Sequence, residues 1–174
     1  MAFYLSVFVC VVARLIPHPA NFTPLGSLIL LNSKKSSLWQ GIALALIVMI
    51  ISDIFLGFSF ASIFVYLGFI SYALWGRIKK LHAVFAAVFA SISFFLISNF
   101  GVWLGPWYPH NLSGLLNCFI NAIPFYRNTI ISDALFVIVF LLLGKVYFTL
   151  KKKYQFKEEL TWVKSLRVAI SRKK

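Results

Sequence analysis

The chain has 174 residues, of which 61% are hydrophobic and 12% charged, and its mean hydropathy is +0.89. A soluble domain of this size cannot hide so much apolar surface, so the composition points to an all-α polytopic membrane protein. The net charge of +13 does not make it a nucleic-acid binder, because the basic residues flank hydrophobic runs, where positive-inside retention accounts for them. An outer-membrane β-barrel would need short alternating segments, and the runs here are continuous. Cys10 and Cys118 give neither a disulfide framework nor metal-ligand spacing.

The first apolar run, from about Met1 to Ile16, is read as a span. No basic residue precedes it, and Arg14 stands where a cleavable signal needs small residues. Three prolines in PHPANFTP, residues 17–24, then forbid a continuing helix. A second apolar run, about Thr23 to Asn32, offers roughly 15 Å of helix and cannot cross alone. The preceding segment is therefore expected to dip below the membrane surface, where non-helical backbone survives only inside protein or along a wet cavity.

Further spans are expected at Leu38 to about Phe58, Phe60 to Trp75, Leu81 to Leu104 and Asn128 to Leu150. The predicted architecture is a six-helix bundle over residues 1–150, with short re-entrant-like segments on the outer side. A basic cytoplasmic tail, 151–174, carries an amphipathic pattern suited to the inner leaflet or to docking a partner. Six spans put 15 of the 17 basic residues on one side, which makes both termini cytoplasmic. Arg14 and Arg127 are left on the other side. Ala83, Ala87 and Ser91 form a small-residue seam, for internal packing or for another membrane subunit.

The stretch Ser98 to Asp133 concentrates amides and aromatics, and Pro106, Pro109 and Pro124 are expected to break it into short pieces between two spans. The candidate binding residues are Arg14, His18, Asn21, Asp53, Asn99, Trp103, Tyr108, Asn117, Asn121, Arg127 and Asp133. Asp53 and Asp133 each lie about five residues inside a helix end, roughly 8 Å below the outer surface, where the two arginine stems can reach them. Charges at that depth pair or line a cavity. The four are expected to converge, either locking the bundle or facing a ligand as well. Asn117 and Asn121 share a face of a short helix within 112–123. Trp103, Trp107 and Tyr108 suit an interfacial belt or the walls of a pocket. His18 and His110 lack the further ligands a metal site needs, and no catalytic or nucleotide-binding motif is present, so neither an enzyme nor a cofactor is expected.

RLIPHPANFTPLGS (14–27), SDIFLGF (52–58), SNFGVW (98–103) and GLLNCFINAIPFYRNTIISD (114–133) together resemble a bacterial family of small uncharacterised membrane proteins. That family looks related to the substrate-binding S-components of energy-coupling-factor transporters. The resemblance implies a vitamin or micronutrient bound near the outer face and an ATPase-driven partner module inside. The expected function is thus uptake of a small solute across a bacterial inner membrane. The alternatives are a scaffold protein of the cell envelope with no ligand, and an intramembrane enzyme, which would need a reactive constellation not found here.

Overall fold

A computed structural model of the chain describes the backbone of residues 2–171 and the side chains of residues 3–155. Six helices and no strands are found among the described residues: α1 Ala2–Leu15, α2 Leu25–Lys35, α3 Leu38–Leu56, α4 Ser62–Arg77, α5 Ala83–Leu104 and α6 Leu112–Ser171. The chain divides into two units, residues 1–137 and 138–174. The first holds α1 to α5 and the start of α6.

Three helices are long and apolar enough to cross a membrane: α3, α5, and α6 over Leu112–Gln155. These mark a membrane protein. α1, α2 and α4 are shorter, at 14, 11 and 16 residues. Large apolar side chains stand exposed along the helices, among them Phe8 on α1, Phe55 on α3, Phe85 on α5 and Leu116 on α6. Such a surface suits lipid and not water.

The short helix α2 is the core of the first unit. Seven of its eleven residues are buried, from Leu25 to Ser33, and it packs on α1, α3, α4 and α5. Two features allow that density. Its polar groups are satisfied: Ser33 Oγ donates to the Ala73 carbonyl at 2.6 Å. Its neighbours are also small. A Cβ at Gly76 on α4 would sit 2.4 Å from the Leu30 carbonyl oxygen, so the two backbones touch there. The α5 seam behaves similarly. Ala83, Ala86, Ala87, Ala90 and Ser91 are buried within the chain, so it serves internal packing.

Local signals set the helix ends. Ser37 caps α3 by accepting from the Gln40 N–H, and Gly57, at φ 94°, follows its end. At the opposite end of α2, Lys34 Nζ donates to the carbonyls of Ile78 and Leu81, at 3.1 and 2.7 Å. The α2–α3 and α4–α5 turns, with their lysines, therefore lie at one end of the unit. By antiparallel succession, segment 17–24 and the start of α6 lie at the other.

The stretch after α5 differs from the expectation of several short pieces. Only Gly105–Asn111 is non-helical; α6 then runs without interruption through Pro124. A proline removes the single N–H that would bond to residue 120, and the rungs on either side carry the helix through. Asn111 Oδ1 accepts from the Gly114 N–H at 2.8 Å and starts this helix. The separate helix within 112–123, the span from 128 and the tail helix are all parts of α6. The amphipathic face expected of the tail rests on side chains beyond Gln155, outside the described residues.

In the second unit α6 continues, with Leu142, Leu143, Val146 and Phe148 exposed.

Candidate functional site

A cavity of about 330 Å³ lies at the non-lysine end of the first unit. That is near the lower end of the ~300–1,000 Å³ typical of small-molecule sites. Its walls come from six places: the end of α1, segment 17–24, the start of α2, the facing parts of α4 and α5, and the turns of α6 around and beyond Pro124. Aromatic rings make much of the lining, with Phe69, Tyr72, Phe94, Phe95, Phe125 and Tyr126 around the space. Phe95 lies 4.6 Å from Tyr126 and Phe69 lies 4.7 Å from Phe94, centroid to centroid, so these rings support one another.

Segment 17–24 is held against α6. Asn128 Nδ2 donates to the Ala20 carbonyl at 3.1 Å, and Ser132 Oγ to the Asn21 carbonyl at 3.4 Å. Phe22 packs on Phe136 at 5.7 Å. The turn is made by Asn21, the one non-glycine residue at positive φ among those described, at 61°. Asparagine tolerates that left-handed conformation better than most residues. Asn21 is exposed, while Phe22 and Thr23 are half-buried. His18 Nδ1–H donates to the Ile16 carbonyl at 2.7 Å, because a carbonyl can only accept.

Two acid-centred clusters meet this region. In the first, Arg14 Nη2 donates to Asp53 Oδ1 at 2.8 Å, and Nε donates to Ser52 Oγ at 2.6 Å. The Tyr66 hydroxyl donates to the other Asp53 oxygen at 2.9 Å. Each Asp53 oxygen thus has a donor, and Asp53 does not line the cavity. Arg14 does line it, and its two bonds leave further N–H groups of the guanidinium for a ligand.

The second cluster is Asp133. The expectation that it pairs with an arginine is corrected by the structure. The Tyr72 hydroxyl, fully buried, donates to Asp133 Oδ2, and Ser27 Oγ donates to the Asp133 carbonyl at 3.1 Å. Arg127 is exposed and forms no ion pair among the described residues. The reason is helical geometry. Arg127 and Asp133 are six residues apart on one continuous helix, about 600° of turn, which puts them on different faces. Convergence holds for Arg14 with Asp53, and Asp133 joins them only as a wall of the same cavity.

Of the other candidate residues, His18, Asn21 and Asn99 line the cavity; Trp103, Tyr108, Asn117 and Asn121 do not. Asn99 Nδ2 turns back to the Phe95 carbonyl at 2.8 Å. Trp103 Nε1 donates to the Pro109 carbonyl at 3.0 Å, and its ring meets His110 edge-on at 5.7 Å, closing the loop after α5. Asn121 Nδ2 reaches the Tyr108 hydroxyl at 3.4 Å, and Asn117 is exposed. No group of three metal-ligating side chains occurs among the described residues.

This arrangement of motifs runs along most of the sequence, and a family model follows the same extent. The chain belongs to a family of unknown function, DUF6580, whose model matches residues 1–158. No curated protein and no solved structure matches it.

Sequence reasoning missed several residues of this DUF6580 site: Gly26, Tyr66, Tyr72, Phe94 and Thr129. Tyr72 had the best available signal, a hydroxyl-bearing ring in mid-helix among apolar neighbours, which needs a partner when buried. Gly26 had none. Its role is visible only in space, where a Cβ would lie 2.6 Å from the Tyr72 ring and 2.7 Å from Asp133 Oδ1.

Proposed function

We propose that the protein binds a small solute from the outer side of a bacterial inner membrane and acts as an S-component-like uptake subunit for a vitamin or micronutrient. The observation that carries this reading is the aromatic cavity holding Arg14 and Asp133 at the end of the unit away from Lys34 and Lys79. Positive-inside retention puts that lysine end in the cytoplasm and turns the cavity outward. On this reading the chain crosses six times, with both termini inside. The short α1, α2 and α4 cross because segment 17–24 and the turns beside them sit within the membrane, re-entrant in character. Energy comes from a partner ATPase module, since the chain carries no nucleotide-binding motif, and the chain is not itself an enzyme.

A scaffold role without ligand draws support from one observation: the Arg14–Asp53–Ser52–Tyr66 cluster is satisfied within the protein. Two measurements separate the readings. Native mass spectrometry after gentle extraction should show a bound small molecule that Ala122→Phe, which fills the cavity, abolishes without loss of the folded protein. An unliganded spectrum, with co-purifying envelope-building proteins and no ATPase, favours the scaffold. Sidedness is checked separately: a cysteine placed at Lys79 should resist an impermeant thiol reagent added to intact cells.

A further inference from the structure

The charges around the cavity do not balance. Arg14 and Asp53 cancel one another across 2.8 Å. Asp133, with 3% of its surface exposed, lines the cavity without a basic partner among the described residues. Its two oxygens differ. Oδ2 accepts from Tyr72, whereas Oδ1 has no donor among the described residues. No sealed side-chain oxygen or nitrogen lacks a partner among those residues, so Oδ1 is open to the space and not walled off. Gly26 keeps it open, because any side chain there would come within 2.7 Å of that oxygen. With Asp133 ionised, the cluster holds one negative charge in excess, and it sits among aromatic faces.

We infer that the ligand carries a positively charged nitrogen that docks on Asp133 Oδ1, beside a flat apolar body held among Phe69, Phe94, Phe95 and Tyr126. This rests on the solute-binding reading above and sets the chemical class of the solute. Three physical effects act together. A carboxylate removed from water gains most from an opposite charge at hydrogen-bond distance. Aromatic faces attract the same cation through their quadrupoles. Arg14 is on the far side of this ledger: its charge is taken up by Asp53, so its spare N–H groups suit a neutral acceptor on the ligand better than a second anion. An anionic solute would be repelled by Asp133 in its ionised form.

The test uses three probes of one shape and different charge: phenethylammonium, phenethyl alcohol and phenylacetate. Each is titrated into the full-length protein in detergent micelles, and the thermal unfolding midpoint is followed. Phenethylammonium should raise the midpoint in a saturable way, at concentrations at least about tenfold below those at which either other probe acts. Asp133→Asn keeps the shape and the contact to Tyr72. It should weaken the ammonium response about tenfold and leave the alcohol response within about twofold. If the alcohol or the carboxylate stabilises the wild type as well as the cation does, the charge assignment is overturned while the solute-binding reading stands. An ammonium response undiminished in Asp133→Asn overturns it too, by placing the cation elsewhere. If no probe moves the midpoint, the inference fails. Whether the uptake reading falls with it is then read from the native mass spectrum. The wild-type series needs no variant, so a misfolded Asp133→Asn does not rescue the inference.

Discussion

Removing the Asp53 carboxylate tests the cluster that ties α1, α3 and α4 together through Arg14, Asp53 and Tyr66. Asp53 is 6% exposed at its side chain and Arg14 is 17% exposed. Breaking a buried pair by deleting one partner costs roughly 3–5 kcal/mol, since the survivor keeps its desolvation cost without its attraction. Arg14 retains some access to solvent and its bond to Ser52, so Asp53→Ala belongs at the low end, about 3 kcal/mol. For a chain of this size each kcal/mol moves the unfolding midpoint by roughly 2–4 °C, giving a fall of about 6–12 °C. Arg14→Ala strands the more buried partner and should cost at least as much, although Tyr66 still donates to it.

The decisive quantity is the coupling. The double variant Arg14→Ala/Asp53→Ala removes both charges and should be less damaged than the sum of the single changes by about 2 kcal/mol. Thermal unfolding in micelles, repeated in moderate salt, measures the cycle. Salt should change it little, because the pair is mostly shielded from solvent ions. Additivity within about 0.5 kcal/mol would refute the argument, since residues that act independently behave so.

Other positions separate the readings more simply. Arg127→Ala should change stability by less than about 0.5 kcal/mol and should not rescue Asp133→Ala, because Arg127 is exposed and on another face; partial rescue in folded yield would restore an Arg127–Asp133 pair. Pro124→Ala should stabilise the protein by about 1–3 kcal/mol in the same unfolding assay, by adding the missing bond to residue 120; a destabilised variant would mean that the cavity wall beyond it depends on a proline-induced bend. Gly26→Ala should cost about 1–3 kcal/mol, because its methyl meets the Tyr72 ring at 2.6 Å, and Tyr72→Phe should not relieve it, since the clash is with ring carbons.

Much of the fold could be read from hydrophobic runs and breakers. The helices begin and end close to where Pro17, Pro24, Ser37, Gly57 and Gly105 put the punctuation. Pro124 misled, because a breaker is a local statement and a helix is a cooperative one: one missing rung in a run of apolar residues does not stop it. The site was legible in its charges and not in its partners. That an arginine would meet an aspartate followed from the cost of lone charges at depth; that the pair is Arg14 with Asp53 is seen only in space. Asp133 with Tyr72 did not, because a neutral hydroxyl donor on a distant helix gives no charge signal. The amides Asn117 and Asn121 looked like a binding face only while 112–123 was imagined as a free-standing short helix.

The shortness of α2 connects these observations. An eleven-residue helix reaches only about 16 Å, about half the length of the 22-residue α5. The chain ahead of it is not helical. Segment 17–24 is tied to α6 through Asn128 and Ser132, and it brings His18, Asn21 and Thr23 into the cavity wall. In the first turn of α2 itself, any side chain at Gly26 would collide with Tyr72 and Asp133. The prolines that stop α1 from running on and the glycine that opens α2 are thus two parts of one device, and both leave room in front of the same carboxylate.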